Sequence, residues 1–410
     1  MQVIVLIYFI LLACKYRKKT LVFFITILLS FSLVSRYLIS SQVNDYSMNG
    51  MLHSILVIIF LGSIVTPWKL YCNVKSFQVV NEKRLNVISK ILSWVCIVLT
   101  IYCFYISCFV YAQIDDINKF KYVDGTSDFL YSLGITMKPY ILVVIAYPIS
   151  YILIPLHFYY LSKKEVLRSS LCFLGSLLTI AYGMTYFSRF HIIHYFLLYI
   201  AFYLLLKNTL YNKIRRKIKY ISLLFLMVGV IIFITISFSR FESFNYVRIE
   251  SDSRIQNSTI YSLVDYFSMW WPHSQTLFNN YDFQSFNGQL SLQSISYFFS
   301  VISFGLIPDF CSGLSIERVR IWKDLSGSFN GFSIYSLYDF GIFFSILYVC
   351  IYYYKVKANA PRNGNISITW LMICSLLLQL PLYSIFYSVL HVVLLGLLLY
   401  LPINLYINKK

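Results

Sequence analysis

GFSIYSLYDFGIFFSILYVCIYYY, residues 331–354, is an apolar run of 24 residues with a single charge inside it, Asp339. About 20 such residues are enough to cross the hydrocarbon layer of a bilayer as a helix, so the stretch reads as a membrane span. An unpaired carboxylate at that depth costs on the order of 3 kcal/mol or more, so it should face protein and have a partner. With a helix starting near Gly331, Asp339 lies about 12 Å along it at 1.5 Å per residue, and Tyr335 and Ser336 one turn earlier extend the polar stripe. The nearest partners in the chain are arginines ahead of Gly331; the plainer reading is a buried pair that fixes helix packing.

Working outward, the whole chain has this character. Of its 410 residues 59% are hydrophobic and only 12% charged, which excludes an ordinary soluble domain and defines an integral membrane protein. Apolar runs near 1–14, 20–40, 51–68, 91–112, 138–160, 169–187, 190–206, 220–238, 331–354, 366–385 and 386–404 predict an all-α, polytopic helix bundle of about 11 spans. The first run is followed by KYRKK, the reverse of a signal peptide's charge order, so it reads as a retained span.

The charges orient these spans. The connections 15–19, 69–90, 163–168, 207–219 and 355–365 with the tail 405–410 hold 23 of the 34 basic residues and only two of the 16 acidic ones, Glu82 and Glu165. By the positive-inside rule this face is cytoplasmic, with the N-terminus outside and the C-terminus inside. The net charge of +18 is thus topology; nucleic-acid binding has no support, because the basic residues are short clamps at span ends. Eight of the nine cysteines lie in or beside spans, Cys311 being the exception, and no zinc-type spacing occurs. No metal and no cofactor is expected.

One connection stands apart: residues 239–330 form a 92-residue extracytoplasmic loop, which divides the chain into a bundle of eight spans at 1–238, the loop, and three further spans with a short tail at 331–410. A loop of that size is functional or disordered. TIYSLVDYFSMWWPHSQTLF and LSLQSISYFFSVISFGLIP are apolar enough to fold onto the bundle as amphipathic or re-entrant helices. Six arginines gather at this face, Arg189, Arg240, Arg248, Arg254, Arg318 and Arg320, against one lysine in the loop, Lys323. The guanidinium fork grips phosphate at two points, whereas lysine is a point charge. Such a set suggests an anion of fixed geometry; pairing with Glu242, Glu250, Asp252 and Glu317 is the ordinary alternative.

Within DYFSMWWPHSQ, Asp265 and His273 supply a carboxylate and an imidazole fit for general-base or orienting roles. Trp270 and Trp271 offer flat faces to sugars, or else anchor a helix at the membrane surface. His191 and His194, one helical turn apart, are interfacial residues or phosphate contacts; His53, His157 and His391 read as structural. No serine-hydrolase elbow, phosphate-binding glycine loop or His-Glu-x-x-His is present.

These features resemble the bacterial oligosaccharide repeat-unit polymerases, the Wzy-type O-antigen polymerases. The resemblance rests on the span number, the late loop, YSLVDYFSMWWPHSQTLF within it, and GFSIYSLYDFGIFF after it, which is similar to the family's Tyr-x-Asp-Phe-Gly segment. RIWKDLSGSFNG, from Arg320 to Gly331, matches an Arg-x10-Gly spacing, though no second copy occurs in an earlier outer loop. The resemblance implies a glycosyltransferase that moves a growing glycan from undecaprenyl pyrophosphate to the next lipid-linked repeat unit, with membrane lipid and a chain-length regulator protein as partners. The same resemblance would make the membrane a bacterial inner membrane and the outer side the periplasm. Arg189, Arg240, Arg248, Arg318 and Arg320 would hold the pyrophosphate. Asp265, His273 or Asp339 would act as base or orienting group, and Trp270, Trp271 and Tyr335 would contact sugar. An O-antigen ligase, a membrane O-acyltransferase and a flippase for lipid-linked oligosaccharides are the competing readings.

Overall fold

In hydrocarbon no water is present to satisfy the backbone, so apolar runs must fold as helices that satisfy it internally. The computed structural model describes residues 2–39, 47–113, 137–185, 188–220, 223–224, 227, 231, 253–281, 285–309, 311, 331–383 and 389–409. Among them, six helices are long and apolar enough to cross a membrane: Thr20–Ile39, Met48–Tyr71, Glu82–Ala112, Val166–Met184, Phe332–Ala358 and Leu390–Asn408. A seventh span exists if the pair Tyr140–Ser150 and Leu153–Ser162, bent by 49°, counts as one. The chain is therefore an all-α, multi-pass membrane protein by length and composition of its helices.

The difference from eleven long spans has a physical basis. Gln2–Lys15, Phe190–Leu206 and Ile368–Tyr383 are apolar helices shorter than 18 residues, and the run at 220–238 lies mostly outside the described residues. The last of the three is interrupted at Leu378, between Ile368–Leu377 and Gln379–Tyr383. The bend in 138–160 follows from YPISYILIP: Pro148 sits inside the first helix and Pro155 near the start of the second. A proline has no N–H to give the carbonyl four residues back, and its ring crowds that carbonyl.

The chain divides into two compact units, which interleave along the sequence. One comprises Met1–Cys72, Arg248–Ala360 and Leu378–Leu395, the other Asn73–Val247, Pro361–Leu377 and Gly396–Lys410.

The first unit is built on Thr20–Ile39, Met48–Val65 and Phe332–Ala358, with the shorter helices Ser258–Ser268, Trp270–Asn279 and Gln289–Ile302 packed among them. Trp68 donates its indole N–H to the Tyr352 hydroxyl at 2.9 Å, and Tyr71 donates to the carbonyl of Val356 at 2.7 Å. These buried bonds fix the far end of Phe332–Ala358 to the turn after Met48–Val65.

The second unit gathers Glu82–Gln113, the bent pair, Val166–Ser176, Leu178–Met184, Arg189–Leu206 and Ile368–Leu377. A two-stranded parallel ribbon, Ser76–Gln78 with Asn365–Ser367, pairs two connections placed on the basic face. Its buried polar groups bond to one another: Ser89 to Tyr160 at 2.6 Å and Ser176 to Tyr195 at 2.8 Å, with Tyr151 to His194 Nδ1 at 3.1 Å. His157 holds Ser169 Oγ at 2.8 Å with Nδ1 and the Tyr199 hydroxyl at 3.1 Å with Nε2, in keeping with a structural histidine.

Candidate functional site

Of the residues singled out by sequence, Asp265, Trp270, Trp271, His273, Tyr335 and Asp339 lie in the first unit. The helix Phe332–Ala358 is broken at Gly341, whose φ of 71° and ψ of 176° lie where essentially only glycine goes. A break interrupts the i to i−4 ladder and strands the carbonyls just before it. Three carbonyls ahead of the break find partners outside the ladder. Ser345 Oγ donates to the Ser336 carbonyl at 2.6 Å, Phe286 N–H to that of Tyr338 at 2.8 Å, and Gly288 N–H to that of Asp339 at 2.8 Å.

Asp339 completes this seam. It is fully buried, and its Oδ1 and Oδ2 accept the backbone N–H groups of Leu290 and Ser291, both at 2.9 Å. These amides open the helix Gln289–Ile302, whose N-cap is Gly288 at φ 83°. The carboxylate thus caps a helix from another part of the chain, with charge-assisted bonds and a favourable helix dipole. Among the described residues its partners are the amides of a helix N-terminus; Arg318 and Arg320, the arginines expected from sequence, lie outside the described residues. With both oxygens bonded and no surface exposed, the geometry favours an orienting role for Asp339 over that of a base. Tyr335 lies one turn earlier, partly exposed.

Apolar packing closes the same seam. Leu277, Phe286, Ile334, Leu337 and Tyr338 form one buried cluster, and the Tyr338 hydroxyl donates to the Leu277 carbonyl at 2.8 Å. The two sequence stretches 261–278 and 331–344 therefore pack against each other. Gly341→Ala is expected to cost about 1–3 kcal/mol through backbone conformation, since a Cβ there would meet nothing closer than 3.8 Å. Thermal unfolding of the purified protein in detergent checks this; an unchanged midpoint would show that the break tolerates a side chain.

The segment before the seam is laced to Thr20–Ile39. Arg254 N–H donates to the Ile39 carbonyl at 2.8 Å. Asp265 sits 3.8 Å from Nη1 of Arg36, with side-chain exposures of 20% and 7%. Ser32 Oγ receives the Trp270 indole N–H at 2.5 Å and donates to the Phe267 carbonyl at 2.6 Å. Contacts at 39, 36 and 32 against 254, 265 and 267–270 run in opposite directions along the chain, as in an antiparallel helix pair. Arg36 was not singled out by sequence, because it lies inside the run 20–40. The reasoning applied to Asp339, that an ionisable residue in a span must have a partner, would have found it.

The tryptophans occupy a different place from a sugar platform. Trp270 and Trp271 are each 1% exposed, and Trp271 packs on the His53 ring at 4.9 Å. A bulky ring with one N–H is buried most readily where that N–H finds an acceptor, as Trp270 does at Ser32. Trp270→Phe is expected to cost about 1 kcal/mol, the net value of one hydrogen bond, read as a lower unfolding midpoint. His273, in the helix Trp270–Asn279, is partly exposed. Cys311 is buried, its N–H bonded to Ser296 Oγ at 3.2 Å and Asp309 Oδ1 at 3.0 Å, and burial pushes its thiol up, which keeps it unreactive.

Arg189 opens the helix Arg189–Leu206, with its side chain outside the described residues. Arg240, Arg248, Arg318 and Arg320 lie outside them altogether, as does Arg320–Asn330 of the Arg-x10-Gly stretch. Among the described residues no three of His, Cys, Asp or Glu gather as a metal site. No protein-family model, curated protein or solved structure matches the chain.

Proposed function

We propose that this protein polymerises lipid-linked oligosaccharide repeat units of an O-antigen or related surface polysaccharide. The growing glycan passes from its undecaprenyl pyrophosphate carrier to the hydroxyl of the next lipid-linked unit: the anomeric C–O bond to pyrophosphate breaks, a glycosidic bond forms, and the hydroxyl proton leaves with a base. The reaction takes place on the periplasmic side of the inner membrane. The observation that carries the reading is the seam at Asp339. It joins the two stretches that resemble the polymerases and docks the helices that follow Arg254 onto membrane-spanning ones. A flexible, lipid-anchored substrate reacts only when held in one geometry, and a loop fixed to rigid helices supplies that.

In this reading Arg189, Arg240, Arg248, Arg318 and Arg320 take up the charge that grows on the departing pyrophosphate. The base is Asp265 or His273, which unlike Asp339 retain exposed surface. Deletion in the native host tests the reading. Surface polysaccharide reduced to a single repeat unit supports it. Unchanged chain length with lost acetyl groups, or lipid-linked polymer accumulating with no surface polymer, would overturn it in favour of an acyltransferase or a ligase.

A further inference from the structure

The second unit contains a cavity of about 420 Å³ lined by Tyr203, Asn212, Arg215, Arg216, Lys219 and Tyr220. Three cations and three neutral hydrogen-bonding groups face it, and no carboxylate is among its lining residues. It forms where the apolar helix Arg189–Leu206 ends and a second helical stretch, 212–220, begins. Its basic residues belong to the connection 207–219 that the charge pattern assigns to the cytoplasmic membrane surface. Cations placed only to orient a span need no concave site, so their gathering around a cavity calls for a separate explanation.

The residues that follow supply one. Leu223, Leu224, Met227 and Ile231 are helical and 53%, 61%, 57% and 59% exposed. In the sequence they recur with Arg216, Lys219 and Tyr220 at spacings of three and four, the pattern of one helix face. This face is cationic and cupped at one end and apolar along the rest. A soluble anion would use the cup alone, whereas a molecule with a charged head and long hydrocarbon tails would use both. Basic pockets beside spans are the sites at which anionic lipid headgroups are recognised.

We infer that this cavity binds the phosphate headgroup of an anionic phospholipid, with the acyl chains lying beside Leu223, Leu224, Met227 and Ile231. The guanidinium groups of Arg215 and Arg216 grip the phosphate, Lys219 adds a point charge, and the tyrosine hydroxyls and Asn212 accept or donate to headgroup oxygens. The site is independent of the proposed transfer reaction, which uses the opposite face.

The test is native mass spectrometry of the full-length protein in detergent, titrated with phosphatidylglycerol, phosphatidylcholine or inorganic phosphate. Phosphatidylglycerol should be retained in preference to phosphatidylcholine, and millimolar phosphate should not displace it. Replacing Arg215, Arg216 and Lys219 together with glutamine should weaken retention on the order of 100-fold. Should that variant unfold, Arg216→Gln is compared with Arg216→Lys, of which the second should retain only part of the binding and the first less. Equal retention of the two lipids, or retention unchanged in the variants, overturns the proposal. Displacement by phosphate alone would assign the cup to a free anion and overturn the lipid assignment.

Discussion

Asp339→Ala should unfold the seam of the first unit, lowering stability by about 3 kcal/mol or more and reducing both the level of protein in the membrane and polymer length. Two bonds to a carboxylate are lost, each of about 1.5–3 kcal/mol, and two buried amides at the start of Gln289–Ile302 are left without acceptors. Asp339→Asn separates the effects. It preserves shape and one acceptor oxygen, but it turns an NH₂ group toward an amide donor and removes the charge that favours the helix N-terminus. An intermediate loss of about 1–3 kcal/mol is expected, with activity falling in step with folded protein. Thermal unfolding and membrane quantification alongside chain-length analysis give the answer. A fully stable Asn variant with activity down 10²-fold or more would instead make Asp339 the general base.

Arg320→Ala is expected to have the largest effect on chemistry. Removing one donor that meets charge developing in the transition state costs about 10²–10³ in rate. Polymer length should collapse while protein level and unfolding midpoint stay normal. Arg320→Lys should recover only part of the activity, because an ammonium cannot hold a phosphate at two points. Normal chain length in the alanine variant would remove Arg320 from the pyrophosphate site. The reading of arginine rather than lysine at this face would then lose its main support.

Much of this was legible in the sequence because membrane folding is governed by long apolar runs. Each of the six long helices coincides with a run read beforehand, and the apolar stretches within 258–302 are helices packed on the bundle, as their composition suggests. Less legible was where runs break. Pro148 and Pro155 mark the 49° bend, and Gly341 within YDFG marks the other. A glycine inside an apolar helical pattern is a recognised warning, but residue type alone does not say that the chain uses it to turn the Tyr338 and Asp339 carbonyls toward another segment.

The partner of Asp339 was the least legible part of the site. Sequence shows side chains, and the search for a counter-charge therefore ran to arginines. The groups that hold Asp339 are backbone amides, which every residue but proline carries and which only a fold can aim. The reverse applies to Arg36. Its guanidinium is visible in the sequence, yet within a run of apolar residues it was passed over, and its distance to Asp265 became apparent only when 254–270 lay along Thr20–Ile39. The tryptophans followed the same pattern: an aromatic pair is equally suited to a sugar or a core, and Ser32 and His53, far away in the chain, decide for the core.

The most direct test of the account is reconstitution of the purified, full-length protein in proteoliposomes with undecaprenyl-pyrophosphate-linked repeat units, followed by size analysis of the lipid-linked glycans. A ladder of multiples of the repeat unit, with release of free undecaprenyl pyrophosphate in step with each addition, is the result the account predicts. Repeat units that remain single and undiminished with folded protein present would contradict it.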